Sequence, residues 1–343
     1  MPRTVRRLAS LLVLAAVIEY LVLPQVAGAR HSVHLLLHAN LFLALLGVGL
    51  EIAALLAYSV LTESLLPRHR VRYGRINRIN LATLAVSHVV PAGAAAGGTL
   101  GYRMLTASGV EGPEAGFALA LQSIGSAVVL NVILWVSLVV SIPLYGFNPL
   151  YVTAAVLGVL LLGFVGAIAA LMTRGEERAV SILRAAARRI PRVSEDQIEG
   201  LFRRLAQRLD ELGRDPGVLR KAVVWAAANW LLDAASLWVF LLAFGRAANP
   251  DGLLVAYGLA NVLAAVPVTP GGLGVVEGVL VPALVGFGTG RAVAILGVLS
   301  WRLVNFWLPI PAGGIAYLSL RLGEDSAGPG ARPEPPPPPA VAP

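Results

Sequence analysis

The chain of 343 residues has no cysteine and only three methionines, and its single lysine is Lys221. The first absence excludes disulfides, thiolate metal centres and a cysteine nucleophile together. Charge is scarce too, at 13% of residues, where a soluble domain carries about 25%. No glycine-rich phosphate fingerprint is set between a strand and a helix, so no nucleotide cofactor is expected. What is present is apolar: 57% hydrophobic residues, in runs long enough to cross a hydrocarbon core of about 30 Å. The chain therefore reads as an all-α polytopic membrane protein. Its formal charge of +8 comes almost wholly from arginine. Cytoplasmic loops and anionic lipid headgroups account for that excess, and nucleic acid is not expected as a partner.

Three arginines open the chain ahead of an apolar stretch at 8–26. That stretch is longer than a signal-peptide core and reads as a retained first span. A second run covers 41–66, and Arg68, Arg70, Arg72, Arg75 and Arg78 then mark a cytoplasmic loop. A broken apolar segment follows at 79–107, then spans at 115–142 and 150–172. Residues 174–221 are polar and strongly basic, with Ile198, Leu201, Phe202, Leu205, Leu209 and Leu212 at amphipathic helical spacing. This cytoplasmic segment is expected to lie along the membrane surface or against the bundle. A span at 222–244, a second broken segment at 253–287 and a last span at 291–320 complete a transmembrane domain over 1–322. The Pro-rich tail at 323–343 is expected to be disordered.

Placing both basic segments on the cytoplasmic side forces a count. Two spans must separate them, so 79–107 enters and leaves from the cytoplasm, while 253–287 enters and leaves from outside. About six full spans and two oppositely oriented re-entrant hairpins result. Span, hairpin, span (41–66, 79–107, 115–142) then recurs with reversed topology (222–244, 253–287, 291–320). That is an inverted repeat, with both termini cytoplasmic.

Each break joins a proline to glycines: Val90-Pro91 leading to Gly97, Gly98 and Gly101, and Val266-Pro267 leading to Thr269-Pro270-Gly271-Gly272-Leu273-Gly274. Backbone that leaves the helix inside lipid must find partners in protein or in a polar cavity, so such breaks point to a site. The amides opening the half-helix after Gly274 form a nest suited to an anionic group. Glu277 lies there, either as partner of a proton or headgroup amine or as a capping charge. Arg103 would reach a substrate phosphate or snorkel to headgroups. Arg302 and Asp233 are buried charges expected to pair, and Glu51 is a further partner for either arginine. His88 reads as a satisfied helix-end histidine, and His31, His34 and His38 as interfacial polar residues rather than metal ligands.

The string Thr269 to Gly278, the segment Pro91 to Arg103, and Trp301-Arg302-Leu303 resemble the flippase-like membrane domain of lysyl-phosphatidylglycerol synthases and their stand-alone relatives. The resemblance covers about residues 8–322. It implies a non-catalytic inner-membrane protein that moves a phospholipid or lipid-linked headgroup between leaflets, such as an aminoacylated phosphatidylglycerol. Arg103, the Pro270 to Gly274 loop, Glu277 and Arg302 are the positions it carries. No soluble aminoacyl-transfer domain is present in the sequence, so a homo-oligomer or a separate lipid-modifying enzyme is a conceivable partner. Two other readings stand beside transport: an integral membrane enzyme acting on a lipid phosphate, and a scaffold for a separate synthase.

Overall fold

The structure is a computed structural model that describes residues 40–66, 71–90, 93–145, 151–152, 154–156, 158–163, 166, 215–245, 249–264 and 269–326. The stretch at 8–26, the three N-terminal histidines, Pro91, Pro267, residues 174–214 and the end of the tail lie outside these. All regular structure among the described residues is helical: α1 (Leu41–Leu65), α2 (Tyr73–Val89), α3 (Gly93–Ala107), α4 (Gly112–Tyr145), α5 (Pro216–Phe244), α6 (Pro250–Ala264), α7 (Val275–Gly286), α8 (Arg291–Arg302) and α9 (Pro309–Ser326). A π turn at Leu303–Trp307 links α8 to α9.

Among the described residues, four helical stretches are long and apolar enough to cross a membrane: Leu41–Leu65, Gly112–Pro143, Pro216–Phe244 and the composite Arg291–Leu322. Their outer faces carry exposed Leu, Val and Ile side chains, including Leu41, Val139, Leu231 and Ile315. Water would not tolerate so continuous an apolar coat, whereas lipid requires it. This is a membrane protein. Helix ends are fixed locally: the Asn40 side chain accepts the Leu43 N–H at the start of α1. Asp215 accepts the Gly217 and Val218 N–H groups, with Pro216 in the first turn of α5.

The elements repeat in order, one long helix, two short ones and another long helix, and their packing repeats as well. Helices α1 and α5 form the central pair and run antiparallel. Asn40 N–H donates to the Ala243 carbonyl, Ser236 Oγ to the Gly47 carbonyl and Asn229 Nδ2 to the Ala54 carbonyl. Gly47 makes the close approach possible, because a Cβ there would press into the Phe240 ring. Each short pair then packs on the last long helix of the other half. Helix α2 lies antiparallel to the last span, with Gly313 against Leu81 and His88 against Phe306. Helix α6 lies antiparallel to α4, with Gly258 against Leu134 and Ser141 donating to Asp251.

Within the first short pair, α2 and α3 are antiparallel neighbours. Gly93 and Gly97 face Ser87, and Gly101 faces Thr83. This differs from the sequence expectation, in which Gly97 and Gly98 formed the turn. Helix α2 ends at Val89 and α3 begins at Gly93, so both glycines lie inside α3. Their physical role differs as well: Gly97 removes a side chain that would collide with the Ser87 hydroxyl, while Gly98 faces open space. In the second pair the glycines do make the turn, with φ of 56° at Gly271, 69° at Gly272 and 80° at Gly274, a region that only glycine enters freely.

This contrast is testable. Gly97→Ala is expected to lower the apparent melting temperature in detergent by forcing α2 and α3 apart. Gly98→Ala should be neutral or stabilising by up to about 1 kcal/mol, through helix propensity alone. Equal destabilisation by both would refute the assigned packing.

Candidate functional site

The break between α6 and α7 supplies a 3-10 turn, Pro270–Gly272, followed by α7. The first N–H groups of a helix need acceptors. Glu277, one turn into α7, folds back so that the Gly274 N–H donates to its Oε2 at 2.7 Å. The nest at this helix start therefore already holds an anion, the chain's own carboxylate.

Arg302 completes the arrangement. Its Nε donates to Glu277 Oε1 at 2.6 Å, and its second terminal nitrogen lies 3.4 Å from the Gly271 carbonyl and 3.3 Å from that of Gly272. The guanidinium is buried between the Trp301 and Phe306 rings, 5.4 Å and 5.3 Å from their centroids. A planar, delocalised cation suits this position: it serves a carboxylate and two carbonyls edge-on while its faces meet aromatic rings. Arg302 was expected to pair with Asp233; its salt bridge is with Glu277 instead. The reason is geometric, since Glu277 reaches it along the loop it already binds.

The π turn directs the neighbouring side chains. Leu308 N–H donates to the Leu303 carbonyl at 2.9 Å, one residue further than in an α-helix. Pro309 and Pro311 lack N–H groups, so the preceding carbonyls lose their usual donors. In the π register the Phe306 carbonyl would look to residue 311. His88 fills that gap, with its Nδ1 3.0 Å away. A carbonyl only accepts, so Nδ1 carries the hydrogen. The His88 ring also stacks on Phe306 at 4.2 Å, and Gly271 lies against both rings, where a Cβ would collide with Phe306. The end of α2 and the loop before α7 therefore meet at the π turn. His88 is the satisfied helix-end residue that the sequence suggested.

On the other face of the π turn, Asn305 Nδ2 donates to Glu51 Oε1 at 3.1 Å and to Asp233 Oδ1 at 3.2 Å. Asp233 also accepts from the Tyr257 hydroxyl at 2.7 Å and from Trp301 Nε1. Glu51 was expected to serve an arginine. It is instead tied through Asn305 to a second carboxyl, because α1 and α5 pack closely enough to bring the two acids side by side.

Arg103 does not join this hub. It lies near the far end of α3, exposed, in a cavity of about 280 Å³ that it shares with Arg321 and Tyr317. Arg321 Nε donates to the Tyr317 hydroxyl at 3.0 Å. Leu100, Met104, Ala107 and Leu320 form the apolar walls. Thr269 stands at the loop entrance, where its carbonyl accepts the Gly272 N–H and its hydroxyl is buried without a partner. The sequence reading singled out Glu277, Arg302 and the loop without joining them, and the structure brings the three together; Phe306 and Tyr257 had no place in that reading. A usable signal was present in Pro309 and Pro311, which disturb the helix directly after Arg302.

Removing one member of the Glu277–Arg302 pair strands the other in a site with little water. Glu277→Ala or Arg302→Ala is expected to cost on the order of 3–5 kcal/mol, measured as apparent thermal stability of purified protein. Glu277→Gln should cost less, because its amide oxygen still accepts one of the two hydrogen bonds. Equal melting of all three variants and the parent would remove the pair from the structural core.

The family of the lysylphosphatidylglycerol synthase TM region matches residues 7–313. Among curated proteins, a UPF0104 membrane protein of Methanothermobacter thermautotrophicus is 26% identical over 145 residues, 40% of this chain and 42% of that protein. The inner membrane protein YbhN of Escherichia coli is 29% identical over 98 residues, 28% of this chain and 29% of its own length. A UPF0104 membrane protein of Pyrococcus horikoshii is 26% identical over 133 residues, 38% and 40% respectively. The matched stretches thus span less than half of these relatives. The family match runs through both broken helix pairs, the Glu277–Arg302 clamp and the π turn, and the chain belongs to the family of the lysylphosphatidylglycerol synthase transmembrane region.

Proposed function

We propose that this protein moves a phospholipid or lipid-linked headgroup, such as an aminoacylated phosphatidylglycerol, between membrane leaflets, and that it does so as a non-catalytic carrier. The observation that carries this reading is the meeting of two broken helix pairs at one point inside the bundle. Helices α2 and α3 have 17 and 15 residues, and α6 and α7 have 15 and 12. At 1.5 Å per residue these arms reach roughly 18 to 26 Å, less than a full crossing of the headgroup-to-headgroup thickness of about 40 Å. They read as re-entrant hairpins that arrive from opposite faces.

The antiparallel pairing of α1 with α5, and the matched packing of each short pair on the other half, favour an inverted repeat with its axis in the membrane plane. Two halves of that kind exchange inward and outward forms by rocking against one another around the hub of Arg302, Glu277 and the π turn. Charge supports one orientation. Arg72, Arg75, Arg78, Arg103, Arg220, Lys221 and Arg321 belong to the end where α2, α4 and α5 begin, whereas Arg291 belongs to the other. By the positive-inside rule the arginine-rich end is cytoplasmic, and the orientation we propose is a cytoplasmic membrane with both termini on that side.

The cavity of Arg103 and Arg321 lies at that end and suits a lipid entering from the inner leaflet. Two guanidiniums offer parallel N–H donors to a phosphate, and the apolar walls continue toward acyl chains. Vesicles containing the protein are expected to equilibrate a labelled phosphatidylglycerol between leaflets faster than protein-free vesicles. Arg103→Ala with Arg321→Ala should slow that exchange about tenfold, the equivalent of ~1.4 kcal/mol. No acceleration over empty vesicles would sink the transport reading. Orientation has its own check: with no natural cysteine to remove, Glu111→Cys should react with impermeant reagent only from the cytoplasmic side, and Arg291→Cys only from outside.

A further inference from the structure

Glu51 and Asp233 form a carboxyl pair that the Glu277–Arg302 clamp does not use. Both are almost fully buried, at 2% and 6% exposure. They come from different helices, α1 and α5, and one amide bridges them, Asn305 Nδ2 donating to an oxygen of each at 3.1 Å and 3.2 Å. Asp233 is fully supplied with donors: Tyr257 from α6, Trp301 from α8 and Asn305 from the π turn. Among the described residues, Glu51 receives only the shared Asn305 amide on Oε1. Its Oε2 is buried with no protein partner.

Arg302, the cation of the neighbouring clamp, is engaged by Glu277 and the loop carbonyls. From α2, Asn77 faces the same region, and its Oδ1 accepts from the Ser59 hydroxyl. Ionised carboxylates are acceptors only. Two of them side by side in a medium of low dielectric repel strongly, and a single amide shared between them offsets little of that. One proton resolves both faults, because it removes a charge and turns the unpartnered oxygen into a donor toward its neighbour. Glu51 lines a cavity of about 330 Å³ together with Asn77, Leu81, Val304, Leu308 and Ala312.

We propose that Glu51 and Asp233 hold one exchangeable proton between them, making the α1–α5 contact beside the π turn a proton-binding site. The site joins the central helices of the two halves, so its occupancy tracks their relative position. A carrier that must couple lipid movement to an ion gradient needs a group so placed.

Infrared spectroscopy of the full chain in lipid nanodiscs tests this without a transport assay. A protonated-carboxyl carbonyl band is expected in the parent protein, lost as pH rises and missing in Glu51→Gln. Asp233→Asn, which removes the neighbouring charge, should move the loss of that band to lower pH. No such band at any pH, or a band unaffected by Glu51→Gln, would overturn the proposal. Loss of the band on adding sodium at constant pH would also overturn it, assigning the site to a metal cation. If Glu51→Gln is not recovered folded, dicyclohexylcarbodiimide mapping of the parent decides. An adduct on the Glu51 peptide under acid conditions supports the proton, and its absence there overturns it.

Discussion

Everything at the centre of this bundle depends on one guanidinium. A backbone that breaks its helix inside lipid leaves carbonyls and amides that water cannot reach, and each unsatisfied group costs several kcal/mol. Arg302 meets that demand for the α6–α7 break by holding two loop carbonyls and the Glu277 carboxylate at once, while Glu277 serves the first amide of α7. Cation, anion and loop satisfy one another. The group that would otherwise be the most expensive in the membrane becomes the means of keeping an irregular loop there.

The same accounting explains the π turn. Pro309 and Pro311 take donors away from the last span just after Arg302, and the extra residue per turn reorients Asn305 and Phe306 to opposite partners. The Phe306 carbonyl accepts from His88 of the first short pair, and Asn305 donates to Glu51 and Asp233 of the two central helices. π turns inside α-helices recur at functional positions because they redirect side chains without ending the helix. Here one such turn touches both broken pairs and both central helices.

The glycines divide by what they do. Gly93, Gly97 and Gly101 allow two helices to touch, as small residues do where lipid gives no hydrophobic drive for association. Gly271, Gly272 and Gly274 instead adopt positive φ and make a turn. Two glycine clusters that look alike in the sequence therefore belong to different physical problems, one of packing and one of backbone conformation. Arg103 follows the same lesson: its place beside the first cluster suggested the central site, yet an α-helix carries it away from the break toward the end where Arg321 lies.

By itself the sequence determined the membrane class, the position of the four long helices among the described residues, the two breaks and the residues of the second loop, because apolar run length and the conformational limits of proline and glycine act locally. Tertiary structure alone decided the partners. Arg302 could have paired with Asp233, Glu51 or Glu277, and linear spacing does not rank them. The antiparallel contact of α1 and α5 places Glu51 beside Asp233, and the folding back of α7 brings Glu277 to Arg302. A charge in a low-dielectric interior takes whichever partner the packing brings within about 3 Å, and that packing is a property of helices far apart in the chain.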